Sequence, residues 1–298
     1  MRSAKKAVQA VDSNRYRRSN RFGEIWRRFR KSKGALIGLI LLLMIVVLLL
    51  CAELLIPYEA AIKQDVRSAL AGPSAEHVFG CDTYGRDILA RIVHGGRTSL
   101  SIALWATVCS CVVGSLLGAV AGYFGGIIDS VIMRALDLFM SVPDILFTMA
   151  VVFALGANFV NLLIALTISF FPNYVRLVRS QVLTLAEQDY VEAARAGGSN
   201  NARIICSHIL PNAVGVIIIN VTLNVARIII YESTLGFLGL GMPAPHPEWG
   251  MMLSEAREVM RVAPHMMFFP AAAIVLCACS INLVGDGLRD ALDPHLKS

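Results

Sequence analysis

Charged residues are scarce in this sequence. Of its 298 residues only 16% are Asp, Glu, Lys or Arg, while 56% are hydrophobic, and the mean hydropathy is +0.64. A soluble domain of this length needs about 25% charged residues to cover its surface. The shortage excludes an ordinary soluble protein and favours a single helical bundle embedded in a membrane.

The sequence also lacks the motifs of nucleotide binding and hydrolysis. A P-loop needs Lys followed by Ser or Thr after a glycine-rich turn. That dipeptide occurs only at Lys31-Ser32 and Lys297-Ser298, and neither follows such a turn. Neither a Gly-x-Ser-x-Gly elbow nor a His-Glu-x-x-His pair occurs. We therefore expect a chain that is not an enzyme and has no ATPase site, no catalytic residue and no cofactor of its own.

Candidate metal ligands are not clustered either. The six histidines are scattered singly, and the two Cys-x-Cys pairs, Cys109/Cys111 and Cys277/Cys279, are flanked by small or apolar residues. A metal site needs ligands that converge. We interpret the cysteines as helix-packing residues and predict no metal site. Cys81 lies alone in a predicted outer loop, so we also predict no disulfide.

Lys and Arg are concentrated at the N-terminus. Twelve of the 27 precede Gly34, against only Asp12 and Glu24 in the same stretch. A basic block directly before an apolar helix is typical of a cytoplasmic flank. Nucleic-acid binding is the alternative, and no aromatic-interleaved or zinc-finger pattern supports it. The apolar segment is too long for a cleavable signal peptide, so we expect a retained anchor.

Six apolar stretches are long enough to cross a bilayer. The predicted spans are Ala35–Ile56, Leu100–Gly122, Asp137–Leu155, Asn161–Val178, Ala213–Tyr231 and Met267–Leu288. Six spans place both termini in the cytoplasm, and most Lys and Arg then lie on that side.

The chain accordingly divides into five parts. They are a cytoplasmic basic segment (1–34), a first anchor helix (35–56), an outer loop (57–97), a core of five spans (98–288) with a cytoplasmic loop at 187–212, and a cytoplasmic tail (289–298). Within the outer loop, Asp87 to His94 has the pattern of a short surface helix.

Few ionisable residues fall inside the predicted spans, where burying a charge is costly. Glu53, Asp137 and Asp144 lie near span ends, and we interpret them as structural. Arg227 is deeper, and its spacing puts it on one helical face with Asn220 and Asn224. This polar stripe either lines a translocation path or forms hydrogen bonds between helices.

The loop from Asp189 to Asn212 has the pattern of two short helices. Gly197-Gly198 separates the two helices. Asp189 is a candidate N-cap of the first helix, and Ser199 or Asn200 is a candidate N-cap of the second. Pro211 suits the first turn of the next span. Ala193, Ala194 and Ala196 leave the first helix with little bulk, so a partner protein can approach its backbone closely.

These residues resemble the EAA loop of ABC importer permeases. Glu192-Ala193-Ala194, Gly198 and Leu210-Pro211 stand at the family spacing, and His208 replaces the isoleucine of many importers, as it often does in the peptide branch.

Further motifs extend the resemblance over most of the chain. They are His77 to Asp87 (with Cys81 where threonine is usual), Ala121 to Gly126 followed by Asp129, Arg134 and Asp137, Leu235 to Gly250, and Gly285 to Pro294. Together they resemble the C-type permease of dipeptide, oligopeptide, glutathione and nickel importers. The stretch from Glu255 to His265 is most similar to the dipeptide and glutathione members.

The resemblance implies an all-α, type I ABC importer permease bundle in a bacterial inner membrane. Its implied partners are a homologous second permease, two cytoplasmic ATPases that bind ATP and Mg²⁺, and an external substrate-binding protein. The coupling residues it implies are Glu192, Ala193, Ala194, Arg195, Gly198, Leu210 and Pro211. The loop from Glu232 to Gly250 would face the binding protein, or would be a re-entrant segment that packs in the bundle.

The alternative functions are an ion-coupled secondary transporter and a membrane hydrolase. An ion-coupled secondary transporter often shows inverted repeats and mid-membrane acids, and neither is evident. A membrane hydrolase would need a nucleophile beside a base, and Ser110 and Ser115 have none nearby. For the importer, the resemblance favours short peptides as substrate, with nickel or an opine-like molecule as the alternative.

Overall fold

The computed structural model describes residues 21–292. Most of the predicted basic segment, 1–34, and residues 293–298 of the predicted tail lie outside the described residues.

The described chain is built of helices, which we number in chain order. They are α1 (Arg21–Phe29), α2 (Lys33–Leu50), α3 (Ala52–Leu55), α4 (Tyr58–Ile62), α5 (Ile88–Phe124), α6 (Gly126–Met140), α7 (Asp144–Leu155), α8 (Phe159–Ala186), α9 (Asp189–Ala196), α10 (Asn201–Arg203), α11 (Leu210–Phe237), α12 (Trp249–Ala256) and α13 (His265–Leu292). A 3₁₀ turn covers Val66–Ser68, and a π-helical turn, Ile204–Ile209, joins α10 to α11.

Five helical runs within residues 21–292 are long and apolar enough to cross a membrane. They are α2, α5, α8, the continuous run Asn201–Phe237, and α13. A sixth span is obtained if α6 and α7, which meet at an angle of 83°, are counted as one broken crossing. The predicted all-α membrane architecture with about six spans is confirmed.

The third predicted span, Asp137–Leu155, is wrong as a single straight helix. Its first residues belong to α6, which begins at Gly126, inside the stretch predicted as a connection. The break falls at Ser141 to Pro143, because proline cannot donate to the preceding turn and disfavours helical geometry at the residue before it. The first predicted span is also interrupted, at Cys51, between α2 and α3.

α5 is longer than predicted and absorbs the expected surface helix at Asp87 to His94. Asp87 is its N-cap, and the carboxylate accepts a hydrogen bond from the Ala90 amide at 2.8 Å. The helix has 37 residues, which is about 55 Å at 1.5 Å per residue. It therefore exceeds a bilayer core of about 30 Å and reaches the structures at both ends of the bundle.

These two ends carry different elements. We call the end at Phe124 the coupling end, because α9 and α10 lie there, and the end at Ile88 the loop end, where residues 57–87 and α12 pack. α1 also lies at the coupling end, where Phe29 packs with Ala35, Val284 and Ala291.

A row of glycines brings α5 close to α8. A Cβ atom at Gly118 would lie 2.6 Å from the Val175 carbonyl oxygen, and one at Gly122 would lie 2.9 Å from the Arg179 carbonyl oxygen. Gly114, one turn earlier, abuts Tyr174 in the same way. Small residues four apart let membrane helices pack backbone to backbone. This contact forms the central pair of the bundle.

Candidate functional site

The first half of the predicted coupling loop folds as α9. Its N-cap is Gln188, so the predicted N-cap, Asp189, is instead the first helical residue. There its negative charge favours the positive end of the helix dipole. Val191 is fully buried against Val178 and Val182 of α8 and Ile204 of the following turn. One apolar side chain thus anchors α9 to the bundle.

The glycine break lies where the sequence predicts it. Gly197 is the C-cap of α9, and Gly198 has a φ of +79°, a conformation that side chains disfavour. Asn200 is the next N-cap and accepts a hydrogen bond from the Arg203 amide at 2.8 Å. The second half is not a separate helix, because it runs through the π-helical turn into α11. Pro211 lies in the first turn of α11.

The predicted coupling residues form an exposed surface at the coupling end. All of residues 187–198 are exposed except Val191, which is buried, and Ala194, which is half-buried. Pro211 is exposed and Leu210 half-buried. Glu192 and Ala193 therefore face outward on a helix whose opposite side is anchored. Arg195 is also exposed, and its guanidinium lies 5.7 Å from the centre of the Tyr123 ring.

The predicted polar stripe lies on α11. Asn220 and Asn224 are half-buried, and the Asn220 amide donates to the Val216 carbonyl within the same helix. Arg227 is exposed in the single chain, with its guanidinium 5.8 Å from the centre of the Phe170 ring of α8. The three residues share one face of α11, and Arg227 contacts the bundle at Phe170.

Two ion pairs tie α6 to α8. Arg179 makes a bidentate contact with Asp129, with Nη2 donating to Oδ2 at 2.6 Å, and both side chains are partly buried. Asp137 accepts from Arg176 at 2.7 Å, and both of these are exposed. Asp144 is the first residue of α7, and Glu53 lies exposed on α3.

At the loop end, three buried charged side chains, Asp82, Arg86 and Arg91, form a network with the half-buried Glu255. Asp82 accepts from Arg86 at 2.6 Å and from Arg91. Glu255 of α12 accepts from the same two arginines, at 2.8 and 2.5 Å. The network connects residues 57–87, the start of α5 and α12.

A second buried group surrounds Glu248. Its carboxylate accepts a hydrogen bond from the Met242 amide at 2.6 Å, and a Cβ at Gly236 or Gly241 would overlap it. Burial raises the pKa of Glu248, and the Met242 hydrogen bond opposes that rise. Trp249, next to it, is 2% exposed and donates from Nε1 to the Ile92 carbonyl at 2.8 Å. Residues 236–250 thus fold inward around one carboxyl group.

Metal ligation has no geometric basis in the described part of the chain. Among residues 21–292, His, Cys, Asp and Glu side chains do not gather in threes as ligands would.

Family comparisons agree with this arrangement. Residues 114–298 match the model of the binding-protein-dependent transport system inner membrane component, and residues 20–73 match the N-terminal transmembrane domain of oligopeptide transport permease C. The chain belongs to this family of importer permeases.

Relatives of this permease match it over nearly its whole length. It is 44% identical over 275 residues to the dipeptide transport system permease protein DppC of Alkalihalophilus pseudofirmus, covering 92% of this chain and 90% of that one. It is 41% identical over 275 residues to the glutathione transport system permease protein GsiD of Pectobacterium atrosepticum, covering 92% and 91%. The resemblance drawn from the motifs is confirmed.

The fold of the permease matches a solved importer. The inward-facing MetNI methionine ABC transporter superposes with a TM-score of 0.58 at 19% identity, covering 69% of this chain and 98% of that one. The type I importer bundle is thereby confirmed, and the chain is a permease subunit of an ABC importer. Energisation by ATPases is a general property of that family.

Several residues of this permease that organise the site were missed from the sequence. Val191 was detectable as the lone β-branched residue of a polar helix. Tyr123 stands directly before a Phe-Gly-Gly turn in a family motif, and Glu248 is an acid within a glycine-rich loop. The pairing of Asp129 with Arg179 left no local signal, because the two residues are 50 positions apart.

Proposed function

We propose that this permease imports short peptides of the dipeptide or glutathione class. The names of its relatives, the dipeptide permease DppC and the glutathione permease GsiD, support this substrate class. The chain forms half of the pathway, with a homologous second permease as the other half. An external binding protein delivers substrate to the loop end, at residues 232–250. Asn220, Asn224 and Arg227 line the pathway.

α9 is the proposed docking element for the ATPases. The main observation in support is that most of residues 187–198 are exposed, while the buried Val191 anchors the opposite side of α9 to the bundle. A small-sided helix held in this way presents Glu192, Ala193 and Gly198 to a groove on a partner. The coupling end and both termini then lie in the cytoplasm. ATP and Mg²⁺ are bound by the two ATPase subunits, and this chain has no ATPase site.

The test uses the complete transporter in proteoliposomes with its binding protein. Glu192→Arg and Gly198→Trp are expected to abolish ATP-dependent uptake of a labelled dipeptide, because they place charge or bulk in the docked surface. The subunit should still insert in the membrane. Glu59→Arg, an equally exposed charge reversal on α4, is the control and should transport normally. Unimpaired uptake by both coupling variants contradicts the proposal.

Substrate class is tested in the same vesicles. Uptake of labelled dipeptide or glutathione, each with the binding protein present, supports the proposal. Uptake of Ni²⁺ with neither peptide transported contradicts it, and so does uptake by the isolated chain that collapses with an ion gradient.

A further inference from the structure

Tyr123 contacts the coupling loop on both sides of its glycine break. It lies in the last turn of α5 and is half-buried. Before the break, the Arg195 guanidinium lies over its ring, 5.7 Å from the ring centre. After the break, its hydroxyl donates to the Asn201 side-chain oxygen at 2.9 Å. A single side chain from a membrane helix therefore bridges α9 and the run that becomes α11.

No other part of the chain packs closely against Gly198 at the break. A Cβ at Gly198 would find nothing within 4 Å, and the loop there is closed by its own backbone, with the Ser199 amide bonded to the Ala194 carbonyl at 3.1 Å. Apolar packing of Val191 and Ile204 fixes where the two halves lie. Such packing has no direction, whereas a hydrogen bond prefers one alignment. The Tyr123 hydroxyl and ring therefore supply orientation that the apolar cluster does not.

Tyr123 also belongs to a rigid part of the bundle. α5 packs backbone to backbone on α8 at Gly118 and Gly122, the latter one residue before Tyr123. The bidentate contact of Arg179 with Asp129 then joins α8 to the start of α6, two residues after α5 ends. If α9 is displaced, α5, α6 and α8 therefore either resist the displacement or move with it as one unit.

We propose that Tyr123 is a positioning residue that fixes the angle across the Gly197-Gly198 break, so that a movement of α9 reaches α5 and α11 at the same time. The inference rests on the proposed docking of ATPases on α9. It also changes the role of Arg195, which was predicted to contact the ATPase. In this arrangement Arg195 acts through the Tyr123 ring.

Tyr123→Phe and Asn201→Ala test the hydroxyl contact in the complete transporter. Each is expected to lower substrate uptake about fivefold, the effect of one hydrogen bond, while ATP hydrolysis continues, so that more ATP is used per molecule moved. The double variant should be no worse than either single one, because both remove the same contact. Asn201→Asp keeps an acceptor oxygen and should restore coupling. Tyr84→Phe, which removes a hydroxyl at the loop end, is the control.

Tyr123→Leu tests the ring and should uncouple more strongly than Tyr123→Phe, because Arg195 then loses its aromatic partner. Co-purification with the ATPases is measured for each variant, and it should be unchanged for Tyr123→Phe. An unchanged ratio of ATP to substrate in both Tyr123 variants overturns the inference, as do additive losses in the double variant.

The variant Glu192→Arg separates this inference from the proposed docking of ATPases. If the Tyr123 variants are unchanged but Glu192→Arg abolishes uptake, the inference about Tyr123 fails and the docking proposal stands. If Glu192→Arg transports normally, the proposed docking on α9 fails as well.

Discussion

At the residue scale, burial separates two ion pairs that the sequence does not distinguish. Asp129 with Arg179 and Asp137 with Arg176 both join α6 to α8 through an arginine and an aspartate. The side chains of the first pair are 18% and 28% exposed, and those of the second 62% and 45%. Solvent screens an exposed pair, so its contribution to stability is small.

Substituting each aspartate by asparagine measures this difference. Asp129→Asn should lower the stability of the purified permease by about 2 kcal/mol, because it removes charged hydrogen bonds in a partly buried site. Asp137→Asn is the matched control and should cost about 0.5 kcal/mol or less. Thermal unfolding in one detergent gives both values. Equal losses would mean that burial does not set the strength of these pairs.

At the element scale, glycine residues on α5 decide how closely α5 packs against α8. Glycines at four-residue spacing occur on α5, but glycine also occurs at positions with no neighbour. Nothing lies within 4 Å of a Cβ built at Gly215 on α11, whereas at Gly118 it would lie 2.6 Å from a backbone oxygen. Of these two positions, only Gly118 needs glycine.

Gly118→Ala should therefore destabilise the permease, whereas Gly215→Ala should not. The first forces two backbones apart and is expected to cost about 1–3 kcal/mol. The second adds a good helix former in open space and should be neutral or gain up to about 1 kcal/mol. Yield and thermal unfolding of each purified variant are the measurements. A well-folded Gly118→Ala variant with unchanged stability would contradict the close approach of α5 and α8.

The loop of residues 238–248 is a second element, and it encloses the buried carboxyl group of Glu248. The groups that face the Glu248 carboxyl are the Glu232 carboxyl of α11 and the amides of Met242, Gly250 and Met251. Ser99 of α5 and Ser233 of α11 contact Glu232 instead. Because burial raises the pKa of Glu248, its neutral form is favoured in the folded loop. The stability of the loop is then fully present at acidic pH and is lost as the pH rises through that raised pKa.

Hydrogen exchange of residues 238–248 should therefore become less protected as the pH rises, after correction for the intrinsic exchange rate. Glu248→Gln keeps the shape and removes this titration, so the slope should flatten. Glu59→Gln, at an exposed acid on α4, should leave the slope unchanged. The same slope in Glu248→Gln and the parent chain would rule out Glu248 as the origin.

At the scale of the whole molecule, the two ends of the bundle are built differently. The loop end is closed by a buried charge network and an inward-folded segment, with Asp82, Glu248 and Trp249 each 2% exposed or less. The coupling end offers an exposed helix, α9, that is held by the buried Val191, the half-buried Ala194 and the contact of Arg195 with Tyr123. A closed loop end and an accessible coupling end suit the proposed subunit, which would receive substrate at the first and mechanical work at the second.

Labelling of cysteines tests which end faces the cytoplasm. Cys206 is exposed at the coupling end, and Glu76 is exposed at the loop end. In a background with the other six cysteines replaced, a membrane-impermeant maleimide should label Glu76→Cys in intact spheroplasts. Cys206 should react only after the membrane is opened. Labelling of Cys206 from outside would invert the proposed topology and remove the basis for ATPase docking.

Much of this organisation could be predicted from local sequence features. Apolar runs predicted the spans, and Gly197-Gly198 predicted the break after α9. The bend at Pro143 was not predicted, because the apolar stretch around it has the length and composition of one span. Contacts between distant helices were not predictable in the same way, since the partner of Asp129 depends on how α6 and α8 are rotated toward each other.

Composition and local patterning indicate that the chain lies in a membrane, which stretches are apolar enough to span it, and which loop carries a small-sided helix, because both act over a few neighbouring residues. Tertiary structure alone decided that Arg195 meets Tyr123, that Arg179 meets Asp129, and that Glu248 is enclosed by glycine backbone. The first two contacts join residues brought together by helix crossings, and the third joins the end of α11, the loop that follows it and α12. A crossing depends on the packing of whole surfaces, which no single segment encodes.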